Sequence, residues 1–140
     1  MIPNNDVQAA VVYQTQQVPL LTGTTLPDGA RGVSELNWRG DEFQYPNVRV
    51  ALESQTDATP DSNCTPVVVD WSIYTFSEKH SSFEANEIAG MIAVYFKGRN
   101  FTYNGLKFVR VEILENISAL QDDPNTWRSQ VRCRSTVHEV

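Results

Sequence analysis

Four side chains able to ligate metals or attack a substrate are scattered along the chain of 140 residues: Cys64, His80, Cys133 and His138. Zinc sites gather four ligands at short, repeated spacings, and these four are scattered instead. The sequence holds no Gly-x-Ser-x-Gly elbow, no His-Glu-x-x-His, and no Walker or dinucleotide glycine pattern. The glycine-bearing loop from Gly23 to Gly32 is not followed by Lys-Ser/Thr and does not open a helix, so it is not read as a phosphate cradle. No catalytic residue, cofactor or metal ligand is therefore expected. Cys133 falls on the apolar side of an alternating segment, where a thiol behaves as a small hydrophobe. Cys64 lies in a polar loop and is read as an exposed thiol with no assigned task.

Two further features carry chemistry. Asp70 interrupts an apolar strand. A carboxyl buried there would hold its proton more tightly, but the reading preferred is that it points to solvent or to a neighbouring subunit. Arg128, Arg132 and Arg134 alternate along one segment, and strand side chains alternate with a period of two, so all three share a face. That face can meet nucleic acid, an acidic neighbouring subunit, or water. The net charge of −6, from 11 Lys+Arg against 17 Asp+Glu, makes the protein a poor general binder of phosphate backbones. The subunit-interface reading of Arg128, Arg132, Arg134 and Asp70 is favoured.

The elements that must position these residues follow from periodicity. A first helix is predicted over Asp6 to Gln17, with Asn5 and Gln8 as a capping box. Val7, Ala10, Val11 and Val18 face inward, and Gln8, Gln14 and Gln16 look outward. Thr22 to Gly32 is a loop turning at Pro27-Asp28-Gly29. A strand near Val33 to Trp38 turns at Gly40-Asp41, and another starts near Tyr45 with Val48, Val50 and Leu52 alternating. Glu53 to Pro66 has no periodicity and reads as a mobile hairpin loop, ordered only against a neighbour. Val67 to Ser77 is the longest apolar strand. Ser81 and Glu84 suggest a second capping box, opening a helix on which Ala85, Ile88, Ala89, Ile92 and Phe96 recur at helical spacing and which ends at Gly98. Asn104-Gly105 is a type I′ hairpin turn. Val109, Val111 and Ile113 are read as the inward side of the next strand. Pro124-Asn125 marks the last loop, and Trp127, Val131, Cys133 and Val137 face inward on the final strand.

The order α-β-β-β-α-β-β, without repeat or linker, predicts one α+β domain over residues 1–140. Its antiparallel sheet has four to five strands, flanked mainly on one face by two helices. No run of about 18 apolar residues occurs, so neither a spanning helix nor a membrane partner is expected. The N-terminus lacks the basic and apolar regions of a secretory signal, and the Asn-x-Ser/Thr matches at Asn63, Asn100 and Asn116 are accordingly read as chance.

The leading helix, the Tyr45-Pro46-Asn47-Val48 strand start, the long polar loop and the strand ending in Ser77-Glu78 form a recognisable succession. The amphipathic helix, Phe101-Thr102-Tyr103-Asn104-Gly105-Leu106-Lys107-Phe108 and the alternating final strand complete it. Over nearly the whole chain it resembles the tail terminator (tail completion) proteins of long-tailed bacteriophages and, more broadly, the head–tail joining family. The resemblance implies a non-enzymatic structural protein of the virion, assembled in the host cytoplasm as a hexameric ring. It would cap the tail tube, contact the tail tube protein and the neck proteins, and let DNA pass through its lumen without specific binding. A neck adaptor or stopper of the same particle is the neighbouring alternative. From other classes come a small ligand-binding or enzymatic domain using Asp70, and a single-strand nucleic-acid binder using the final strand.

Overall fold

The structure is a computed structural model and describes residues 2–19, 32–35, 45–57, 66–78 and 82–140. The expected turns at Pro27-Asp28-Gly29 and Gly40-Asp41, most of the polar loop with Cys64, and His80 and Ser81 lie outside the described residues. The elements run α1 (Asn4–Gln16), β1 (Val33–Glu35), β2 (Asn47–Asp57), β3 (Val67–Ser77), α2 (Phe83–Phe96), β4 (Phe101–Tyr103), β5 (Leu106–Asp123) and β6 (Thr126–Glu139). Among the described residues the sheet has six strands, in the order β1-β2-β3-β6-β5-β4, not four to five. Short β1 pairs with β2 in parallel, and the other pairings are antiparallel.

Period-two alternation sorts the central strands. On β3, Val67, Val69, Trp71 and Ile73 are fully buried, while Val68, Asp70, Tyr74 and Phe76 are only partly covered. On β6, Val131, Cys133 and Val137 are buried and stand opposite Ile73, Trp71 and Val67. Trp127, at the strand's outer end, is only half-buried. Both helices lie on this inner side. Ala85, Ile88, Ala89, Ile92 and Phe96 of α2 and Val7, Ala10 and Val11 of α1 are buried there. Trp71 sits edge-on to Phe96 and Phe108, with ring centroids 6.2 and 6.0 Å away. Burying each such side chain contributes about 1.5–3 kcal/mol, which makes this face the main source of stability.

Several local expectations are corrected. Helix α1 starts at Asn4 after Pro3, with no side-chain cap. Gln8 does not close a capping box, because its amide reaches across to Glu35 Oε2 at 3.5 Å and the Val50 carbonyl at 3.4 Å. Gln14 donates to Tyr95 Oη at 2.6 Å and Gln16 to the Val33 carbonyl at 3.1 Å, so neither is simply outward. Helix α2 starts at Phe83 with no side-chain cap. Glu84 instead accepts from Ser77 Oγ at 2.8 Å, tying the helix to the end of β3.

The polar run from Glu53 to Asp57 is strand, not loop. It pairs with Val67–Asp70 after a bulge between Leu52 and Ser54. Gln55 fastens it to the N-terminus by bonds with Ile2. The bulge explains why no alternation was visible: the extra residue, Glu53, breaks the period.

A second bulge displaces Val109. Asn104 and Gly105, at φ 48° and 82°, form the expected turn. Phe108 then pairs inward with Val137, and Val109 stands opposite Thr136 on the other side. Arg110 takes φ 45°, the register shifts, and Val111 returns to the core. There the backbone of Val111 pairs with Gly98 and Arg99 at the end of α2. Further along β5, the Ala119 amide donates to Asn86 Oδ1 of α2 at 2.7 Å.

Candidate functional site: the helix-free face of the sheet

The second face of β2, β3, β5 and β6 carries no helix among the described residues, and the sequence-predicted site residues all lie on it. Asp70, Arg128, Arg132 and Arg134 are brought onto one surface by the pairings Asp70↔Arg134, Ser72↔Arg132 and Phe76↔Arg128. Arg134 grips Asp70 with both arms, Nε to Oδ1 at 2.7 Å and Nη2 to Oδ2 at 3.0 Å. Two parallel N–H···O bonds from a planar guanidinium are the strong, geometrically exact form of this contact. Asp70 accepts with both of its oxygens, so the expected interface acid is already occupied within its own chain.

Arg132 is held between two carboxylates. Nη1 donates to Glu115 Oε1 at 2.6 Å on β5, and Nη2 to Glu53 Oε2 at 3.3 Å on β2. Glu53 also accepts from Ser72 Oγ, and Ser72 Oγ accepts from Gln130 Nε2 at 2.9 Å. The hydrogen bond to Glu115, then that to Glu53, raises the Arg132 pKa above its usual value, and the hydrogen bond to Asp70 does the same for Arg134. Arg128 extends over the Tyr74 ring, 5.7 Å from its centroid. Glu112 lies opposite Arg134. The face is thus an alternating ladder of three arginines and the carboxylates Glu53, Asp70, Glu112 and Glu115, not a basic stripe.

Such a surface has little to offer a phosphate backbone, because a contact with Arg132 or Arg134 would first have to break an ion pair. Ser72 Oγ, held against the Glu53 carboxylate, is buried and also accepts from Gln130 Nε2, so the donors and acceptors of the ladder are engaged with one another. Among the described residues, no group of three or more His, Cys, Asp or Glu is placed to hold a metal ion. Cys133 is on the opposite, buried side, where burial above all pushes its thiol up to about 12. His138 is half-buried opposite Lys107 on β5.

What the sequence reading missed here is Glu53, Glu115 and Glu112. The bulge concealed the first, and nothing local marks the other two as partners of β6.

No protein-family model matches the sequence, and a search of curated proteins likewise finds no match. Comparison of folds is more informative. A chain from the structure of the virion of a native gene transfer agent (GTA) particle has a similar fold, with a TM-score of 0.67 at 19% sequence identity. The alignment covers 96% of this chain and 96% of that one. The arrangement of two helices on one side of a bulged six-stranded sheet is therefore a fold shared with a constituent of that particle.

Proposed function

We propose that the protein is a structural component of a phage-like virion, and more specifically a ring-forming tail terminator that caps the tail tube and joins it to the head–neck complex. The observation that carries this reading is the end-to-end likeness to a chain of a virion particle. It agrees with the resemblance to tail terminators read from the order of sequence motifs. The helix-free face contributes a physical argument: a surface of mutually paired charges stays hydrated without attracting nucleic acid, which suits a wall past which DNA must slide. Arg128, Arg132, Arg134 and Asp70 are proposed as part of that wall and its subunit contacts. In this reading the protein is not an enzyme, and it works as a homo-oligomer, with a hexamer expected, against the tail tube and neck proteins.

Disrupting its gene in the producing particle tests the role. Loss of a tail terminator yields tubes of uncontrolled length beside separate, filled heads. Tails of normal length with leaking heads would instead assign the protein to the neck as an adaptor or stopper, and unaltered particles would overturn the virion reading.

A further inference from the structure

Away from the paired arginines of the helix-free face, a second group of cations stands together. Lys97, Arg99 and Arg110 are exposed and gather where α2 ends. The backbone pairing of Gly98 and Arg99 with Val111 holds the three together, and Asn100 Oδ1 accepts from the Arg110 amide at 2.6 Å. Arg99 is positioned, with its Nε donating to the Tyr95 carbonyl at 2.8 Å and its guanidinium lying 3.8 Å from the Tyr95 ring centroid. At the opposite end of the same helix stand Glu78, Glu84 and Glu87, of which Glu78 and Glu87 are exposed. The two charged ends are about 20 Å apart along the 14-residue helix.

Between them the outward side of α2 is apolar. Phe83 is 79% and Val94 80% exposed, one beside each charged end. Gly90 lines a groove together with Val18, Pro19, Met91, Val94, Tyr95 and Arg99. A glycine inside a helix is unfavourable relative to alanine, and nothing among the described residues requires one here. A Cβ added at Gly90 would meet no atom within 4 Å. Acid at the start of a helix and base at its end partly complement the macrodipole. Among the described residues the exposed Val94 and the glycine have no such account.

We infer that the outward side of α2 is a self-association surface, on which the basic, Val94-bearing end of one copy docks against the acidic, Phe83-bearing end of the next, with Gly90 admitting the close approach. The occupant is a second copy because this chain carries both halves of the match, an apolar residue with cations at one end and an apolar residue with carboxylates at the other. The contact is heterologous, as ring closure demands. It rests on the ring-forming reading above and adds the surface that builds the ring.

Sedimentation of the intact chain over a wide concentration range tests it, comparing wild type with Arg99→Glu, Glu87→Arg, the double exchange and Gly90→Ala. Each single charge reversal is expected to weaken association about tenfold or more, and the double exchange to restore it. Gly90→Ala is expected to raise the melting temperature while weakening association, a pairing of effects that a purely structural glycine would not produce. Wild type that assembles together with variants that assemble equally well overturns this surface but leaves the ring reading intact. A wild-type chain monomeric at every concentration overturns both. A low-salt shift assay with duplex DNA covers the remaining occupant: if Arg99→Glu abolishes DNA binding while assembly persists, the basic end serves nucleic acid and the inference is wrong.

Discussion

The two faces of one sheet divide the work. On the inner face, Val69, Trp71, Ile73, Val131 and Cys133 meet the helices in a contact without charge. On the outer face the same strands present Asp70, Ser72, Arg132 and Arg134, satisfied by one another and by Glu53 and Glu115. Apolar burial is non-directional and roughly proportional to area, so the inner face supplies stability but tolerates changes of identity. Ion pairs near water contribute little to stability yet demand particular partners. The outer face therefore specifies register and surface character.

The sharpest way to break this comparison is to move a charge from one face to the other. Val111→Asp places an unpaired carboxylate in the core and is expected to cost about 3–5 kcal/mol. Val109→Asp, two residues earlier but beyond the Arg110 bulge, is expected to stay within about 1 kcal/mol of wild type. Denaturant titration of the two variants checks this, and equal losses would place the bulge elsewhere. Next in size, Ile88→Ala and Ile92→Ala should each cost about 2–5 kcal/mol through the cavity left under α2. Melting curves unchanged for both would remove the helix from the core.

Cys133 sharpens the contrast through pH. Its thiol is raised by burial to about 12 from an ordinary 9.0. Between those values the unfolded chain has lost the proton and the folded chain keeps it, so the Cys133 contribution is intact below pH 9 and fades as pH rises toward 12. In a Cys64→Ser background, thiol labelling at pH 9 should be negligible in the native protein and rapid in denaturant. The smallest expected effect belongs to the ladder. Arg134→Met removes the grip on Asp70 yet should shift the melting temperature less than either isoleucine variant, and the difference from wild type should shrink further in high salt.

How far this division is legible from sequence differs by element. The β6 alternation, the Asn104-Gly105 turn and the spacing of Ala85, Ile88, Ala89 and Ile92 are local patterns, and each appears where periodicity predicts it. The inward side of Cys133 follows from the same alternation. The bulges are a different matter. Arg110 adopts a positive φ with no glycine to announce it, so Val109 was expected in the core in the place Phe108 takes. Ion-pair partners are less legible still. Glu53 and Arg132 are 79 residues apart, and only the pairing of β2, β3 and β6 brings them into contact. The glutamines of α1 mislead for a related reason: they look like a solvent-facing row until β1, β2 and Tyr95 supply their acceptors.

The bond from the Ala119 amide to Asn86 has a bearing on what the free protein does before it meets any partner. Over its distal half β5 pairs with β6 along one border, while among the described residues no strand pairs with its other border. Bare strand borders recruit further strands and lead to fibres. Asn86 occupies one of the main-chain donors on that border with a side-chain oxygen, and its Nδ2 reaches Ser118 Oγ at 3.4 Å. A side chain on a helix thus takes up a main-chain donor that a further strand would otherwise need for pairing at this point.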